Sequence, residues 1–118
     1  MQQFTLNPRK GAVLLNGNFS LSSAAAVSAS DMTQLVTSVT KTATGTYTIT
    51  LTDKWVSSSA IHVSYQGADL NTRAVCTSID VISAKTIVIK TLVANLVADV
   101  STACVINVSV ALKNSSVR

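Results

Sequence analysis

The sequence predicts an all-β protein, folded as an antiparallel β-sandwich of about six to eight strands, of jelly-roll or immunoglobulin-like type. The clearest strand covers residues 46–51, where threonine alternates strictly with larger apolar residues. Such alternation is typical of a strand with one buried face. Val, Ile and Thr are frequent throughout the chain, and these β-branched residues favour strands. Helical periodicity is weak.

The size and composition indicate one globular domain. The chain has 118 residues, of which 47% are hydrophobic and only 12% charged, against about 25% charged in an average soluble domain. This balance is the reverse of that found in disordered chains. No apolar run approaches the ~20 residues of a membrane-spanning helix, and the first residues lack the pattern of a signal peptide. We therefore expect no membrane association.

The other predicted strands share short alternating patterns that are bounded by turn residues. They are expected at Leu35–Lys41, Ile61–Tyr65, Ala74–Ile79, Val81–Ser83, Thr86–Lys90 and 105–112. Leu35–Lys41 forms a hairpin with 46–51 across Gly45, which is free to adopt positive φ. A second hairpin turns at Ala84–Lys85.

In two of these strands the alternation assigns the buried face. Between residues 61 and 65 the inward side chains are those of Ile61, Val63 and Tyr65. In the last strand the shared face carries four apolar residues: Ile106, Val108, Val110 and Leu112.

Three segments lack this pattern. Residues 22–32 are small and aperiodic, which predicts an extended connection, whereas 92–102 fit either one helical turn or a long loop. Residues 1–22 are assigned to an N-terminal arm or edge segment, because Pro8 cannot donate a ladder hydrogen bond. The apolar Phe4 and Leu6 favour an arm that docks on a neighbouring subunit, or else a first edge strand. The sandwich domain itself is placed at residues 23–118.

The sequence contains few residues of the types that usually catalyse reactions. It contains no Glu, five Asp and a single histidine, His62, which falls on the polar face of a predicted strand. No nucleophile-elbow sequence or glycine-rich phosphate loop is present. Cys76 and Cys104 are too far apart for zinc spacing, and the Asp residues do not form a calcium loop. We therefore predict no enzyme activity, no cofactor and no catalytic or metal-binding residue.

Neither the two cysteines nor the basic charge indicates a specific binding site. In the absence of an export signal, Cys76 and Cys104 are expected to be free structural thiols; a disulfide is the alternative if their strands face each other. The net charge is +4, but the basic residues are scattered and only Arg9 and Lys10 are adjacent. Few aromatic residues lie among them to stack on bases, so no nucleic-acid partner is expected.

Trp55 follows the clearest strand and lies beside a predicted loop. It can plug one end of a sandwich core or stack on a sugar ring. In the second case Trp55 and Tyr65 are the candidate ligand contacts.

Four segments together resemble the small β-rich virion proteins of tailed bacteriophages. They are residues 44–55 (TGTYTITLTDKW), 84–89, 108–116 and the start, 4–11. The resemblance implies a β-sandwich on the capsid exterior, made in the host cytoplasm, that acts as a decoration (cement) protein. It also implies a homo-oligomer, with a trimer favoured, and the major capsid protein as partner.

The expected mechanism is bracing of the shell. A domain with so few charges exposes much apolar and hydroxyl surface, which often marks protein contacts. The candidate subunit or capsid contacts are Phe4, Leu6, Arg9 and Lys10. The alternative function is a fibre-associated receptor- or carbohydrate-binding module.

Overall fold

A computed structural model describes residues 12–32 and 35–113, and it confirms the antiparallel β-sandwich. The strands are β1 (Ala12–Leu21), β2 (Val27–Asp31), β3 (Val36–Ala43), β4 (Thr46–Leu51), β5 (Ser57–Gly67), β6 (Thr72–Asp80), β7 (Thr86–Val93), β8 (Leu96–Val97) and β9 (Cys104–Lys113). The first sheet has the order β2-β1-β9-β5, and the second has the order β3-β4-β7-β6 with β8 paired to β7. None of the described segments forms a helix long and apolar enough to span a membrane.

The core lies between the sheets and follows the alternation of the sequence. On β4 the side chains of Tyr47, Ile49 and Leu51 are completely buried, while the threonines between them face outward. β9 pairs with β1 on one side and β5 on the other. Its predicted inward face is confirmed, because each of its four apolar residues is at most 1% exposed: Ile106, Val108, Val110 and Leu112.

Part of the segment expected to be an arm or a first edge strand is an interior strand. β1 lies between β2 and β9, and its pairing with β9 extends from Ala12 opposite Lys113 to Leu21 opposite Cys104. Leu15 and Phe19 of β1 are completely buried. Residues 12–21 therefore belong to the sandwich, and the expected boundary at residue 22 does not hold there. The predicted contacts Phe4, Leu6, Arg9 and Lys10 lie outside the described residues.

Three other expectations are corrected by local backbone geometry. Residues 22–32 contain the short edge strand β2, which reverses from β1 through Ala25 at a φ of 65°. Val81–Ser83 belongs to a turn rather than a strand. Residues 92–102 include the end of β7 and the two-residue β8, joined by a hairpin whose central residues, Ala94 and Asn95, both have positive φ.

The inward face predicted for residues 61–65 is only partly correct. Val63 and Tyr65 pack against the core, whereas Ile61 is 38% exposed. The pairing register between β5 and β9 shifts between Ser59 and His62. Such a bulge adds an unpaired residue and rotates the side chains around it, which accounts for the exposure of Ile61.

The strand pairings define two ends of the sandwich. At one end lie the β5–β6 loop and the β7–β8 hairpin, since Thr72 pairs with Val93. At the other end lie the segment 52–56 between β4 and β5 and the turn between β6 and β7. Ala12 and Lys113 pair with each other at this second end, so both termini of the described fold are on the side opposite the β7–β8 hairpin.

Candidate functional site

The end formed by the β5–β6 loop and the β7–β8 hairpin presents apolar side chains to solvent. Leu70 in the loop is 97% exposed, and Leu96 just after the hairpin turn is 71% exposed. Val97, which follows Leu96 in sequence, is 46% exposed. We call Leu70, Leu96 and Val97 the leucine end.

Hydrogen bonds hold the loop that carries Leu70. The Asp69 carboxylate accepts the Asn71 backbone N–H at 3.0 Å and the Thr72 hydroxyl at 2.8 Å. These bonds lower the pKa of Asp69, with the Asn71 bond making the larger contribution. Because both bonds span only two or three residues, they fix the turn around Leu70 locally.

The hairpin that carries Leu96 is joined to this loop. The Ala94 backbone N–H donates to the Asn71 carbonyl at 3.0 Å. Ala94 and Asn95 have φ values of 52° and 70°, the left-handed pair that tight two-residue hairpins require. Leu70 and Leu96 are therefore displayed from two connected, ordered turns, and little loop entropy would be lost when a partner covers them.

A second feature lies at the opposite end, where Trp55 lines an open cleft of about 510 Å³. The other lining residues are Thr52, Asp53, Lys54 and Lys85. We call this the tryptophan cleft. Backbone bonds fix its walls: the Leu51 N–H donates to the Lys85 carbonyl at 2.8 Å, and the Trp55 N–H donates to the Val81 carbonyl at 2.7 Å.

The indole of Trp55 has the first of the two roles that the sequence left open, and stacking on a sugar stays a prediction. It is half-buried and packs against the hydrophobic core, as expected of a residue that closes one end of the sandwich. Its Nε1 is buried without a hydrogen-bond partner, while the residue also lines the cleft. Part of the ring is therefore available to a ligand.

Tyr65 does not join Trp55 in a shared site. It pairs with the buried Ile106 on the core side of β5, and its hydroxyl is buried without a partner. A Cβ at Gly67 would lie 2.5 Å from that hydroxyl oxygen, so the absent side chain makes room for the phenol. Because Tyr65 lies near the leucine end of β5 and Trp55 just before its start, the structure does not bring these two predicted contacts together.

Sequence reasoning missed Lys54 and Lys85 as neighbours of Trp55. Lys54 is adjacent in sequence, but the scattered basic residues predict only solvent-exposed charge at this position. Lys85 is brought to the cleft only by the pairing of β4 with β7, which no local pattern indicates.

The histidine and the two cysteines show no arrangement typical of a catalytic or metal-binding site in the described residues. His62 is exposed on the outer face of β5, opposite Ser109. Cys76 and Cys104 are free thiols, as predicted, and lie on different sheets. Burial raises the pKa of both thiols, which disfavours the reactive thiolate. Within residues 12–32 and 35–113, no three His, Cys, Asp or Glu side chains group as metal ligands.

Comparison of the chain with protein-family models, curated proteins and solved structures finds no match. The resemblance to phage virion proteins therefore depends on the sequence segments alone.

Proposed function

We propose that this domain is a structural protein of a virus particle, a decoration protein that binds the outer capsid surface and stabilises the shell. The observation that carries the proposal is the leucine end, where Leu70 and Leu96 are exposed on ordered turns. Exposed apolar side chains grouped at one end of a domain often mark a protein contact.

The positions of the two ends suit a brace. The leucine end lies opposite the end at which the described chain begins and finishes. If the predicted contacts Phe4, Leu6, Arg9 and Lys10, which lie outside the described residues, bind a neighbour, the domain has a second set of contacts in addition to the leucine end. It could then cross a joint between two capsid subunits, and many copies would add their modest contacts through multivalency.

The proposal is tested on virus particles purified on a density gradient from the cells that make this protein. Particles stripped of the protein are mixed with the recombinant chain, and bound protein is measured by sedimentation. Light scattering of the free chain tests the expected trimer. We expect the double variant Leu70→Ser/Leu96→Ser to lose at least tenfold in binding, equivalent to about 1.4 kcal/mol, and to keep its fold.

The matched control removes two exposed apolar residues elsewhere. Leu14 is 52% exposed and Ile82 is 64% exposed, and neither lies at the leucine end. Leu14→Ser/Ile82→Ser should bind particles like the parent chain. Equal losses in both double variants, or a protein that is absent from purified particles, would refute the decoration role.

A second candidate function, a fibre-associated receptor- or carbohydrate-binding module, is favoured by one observation. The half-buried Trp55 lines the tryptophan cleft, and aromatic side chains with a few polar groups beside them are common in ligand sites. Tyr65 has no part in this candidate, because its hydroxyl is buried.

A further inference from the structure

The tryptophan cleft is an open depression whose walls are fixed by backbone hydrogen bonds. Its volume of about 510 Å³ falls within the range of about 300–1,000 Å³ that is usual for ligand pockets. The Lys85 and Val81 carbonyls hold the two ends of the segment that carries Asp53 and Lys54. The cleft is therefore formed before a ligand arrives, which lowers the entropy lost on binding.

The charges that line the cleft are not neutralised by ion pairs. The salt bridge found in the described part of the chain joins Lys41 to Asp99 and lies away from the cleft. Lys54 and Lys85 both line the cleft and outnumber Asp53, the one acidic residue there. Lys85 has a left-handed φ of 61°, a conformation that is unfavourable for a residue with a side chain. The turn between β6 and β7 nonetheless holds Lys85 in this conformation at the edge of the cleft.

We infer that the tryptophan cleft binds an acidic saccharide, with the sugar ring stacked on Trp55 and its carboxylate paired with Lys54 and Lys85. An indole face attracts the C–H face of a sugar, while the ammonium groups supply charge-assisted hydrogen bonds to a carboxylate. Asp53 can accept a hydroxyl hydrogen. The inference deepens the second candidate function and is independent of capsid decoration.

Fluorescence tests this directly, because Trp55 is the single tryptophan of the chain. The protein is titrated with trigalacturonate, with the neutral galactose trimer and with acetate. We expect trigalacturonate to give a saturable change in emission and to bind at least tenfold more tightly than the neutral trimer. Acetate, which has the charge but no ring, should leave the emission unchanged.

Charge variants separate this site from general attraction to a basic protein. Lys85→Gln and Lys54→Gln should each weaken trigalacturonate binding about tenfold, or about 1.4 kcal/mol. Lys90→Gln removes the same charge from β7, on the outer face of the second sheet next to the buried Ile89, and should bind like the parent. Lys54 is exposed, so its variant does not threaten the fold.

Three results would overturn the inference. They are equal affinity for the acidic and neutral trimers, equal weakening by Lys90→Gln and Lys85→Gln, and no saturable change in emission. None of them bears on the decoration role, which is measured with variants of the leucine end.

Discussion

The hydroxyl of Tyr47 donates a 2.6 Å hydrogen bond to the backbone carbonyl of Ala25. Tyr47 is on β4 of the second sheet, and Ala25 is in the turn that joins β1 to β2 of the first. Both residues are completely buried, and the Tyr47 ring packs on Phe19 with centroids 5.8 Å apart. One side chain thus ties the two sheets together through a polar and an apolar contact.

Tyr47→Phe should destabilise the domain by about 1–2 kcal/mol, because it leaves the buried Ala25 carbonyl without its partner. The ring and its contact with Phe19 remain, so the fold should persist. Urea unfolding followed by circular dichroism measures the difference. A free energy of unfolding equal to that of the parent would show that the hydrogen bond contributes nothing to stability.

The same residue predicts how stability changes in alkali. Burial, together with the charges of Asp99 and Cys104, raises the pKa of Tyr47 from 10.0 to about 12. The folded state therefore favours the neutral phenol, and this contribution is fully present below pH 10 and lost as the pH rises toward 12.

Comparison with Tyr47→Phe isolates this effect from other groups that titrate in alkali. The advantage of the parent over the variant should be constant below pH 9 and should decrease between pH 10 and 12. An advantage that persists unchanged to pH 12 would contradict the assigned shift.

A second link between distant segments joins Asp99 to the β3–β4 hairpin. One carboxylate oxygen of Asp99 accepts the Gly45 backbone N–H at 2.7 Å, and the other lies 3.0 Å from the Lys41 ammonium. Asp99→Ala leaves the N–H of the buried Gly45 unpaired and should cost about 1–2 kcal/mol. Lys41→Gln removes only an exposed ion pair and should change stability by less than about 0.5 kcal/mol.

Thermal melts of these two variants at neutral pH provide the measurement. The bonds from Gly45 and Lys41 lower the pKa of Asp99 from 3.8. Its contribution to stability is therefore present above that value and is lost as the pH falls through the folded-state pKa. Because Asp99→Ala removes both contacts, equal losses for Lys41→Gln and Asp99→Ala would show that the ion pair, rather than the backbone bond, stabilises the fold.

Val108 tests the core at the middle of β9. It is 1% exposed, so Val108→Asp places a carboxylate between the sheets without a partner and should cost at least about 3 kcal/mol. Ser109→Asp introduces the same charge one residue later, on the outer face, and should be nearly neutral. The melting temperatures of the two variants test this assignment. Similar values would mean that the inward face of β9 is wrongly assigned.

The strands that could be predicted are those in which alternation is undisturbed. β4 and β9 carry an apolar residue at every inward position, and both were predicted with the correct face. For β1 the sequence predicted only an arm or an edge strand, because Gly17 occupies a position between Leu15 and Phe19 on the core side. A Cβ there would lie 2.5 Å from the Asp31 backbone oxygen, so the close approach of β2 excludes the apolar residue that would have completed the pattern.

The candidate sites were harder to predict than the fold, because they depend on contacts between distant segments. The hairpin at Ala94–Asn95 has left-handed φ values but contains no glycine, so no hairpin was predicted before Leu96. The loop at Leu70 was recognised, but its junction with that hairpin follows from the pairing of β6 with β7. Exposure of the two leucines at the same end of the sandwich is thus a tertiary property.

The N-terminal residues provide the last prediction. Deletion of residues 1–10 leaves all of β1 and every core residue named above in place. The truncated chain should therefore fold with a melting temperature close to that of the parent. If Phe4, Leu6, Arg9 and Lys10 contact a neighbouring subunit or the capsid, the same deletion should abolish oligomer formation or particle binding, measured by light scattering and sedimentation. The full-length variant Phe4→Ser/Leu6→Ser is the matched control, because it keeps the chain length and should reproduce the loss of binding. A marked fall in the melting temperature of the truncated chain would instead assign these residues to the sandwich itself, and unchanged assembly would exclude them as contacts.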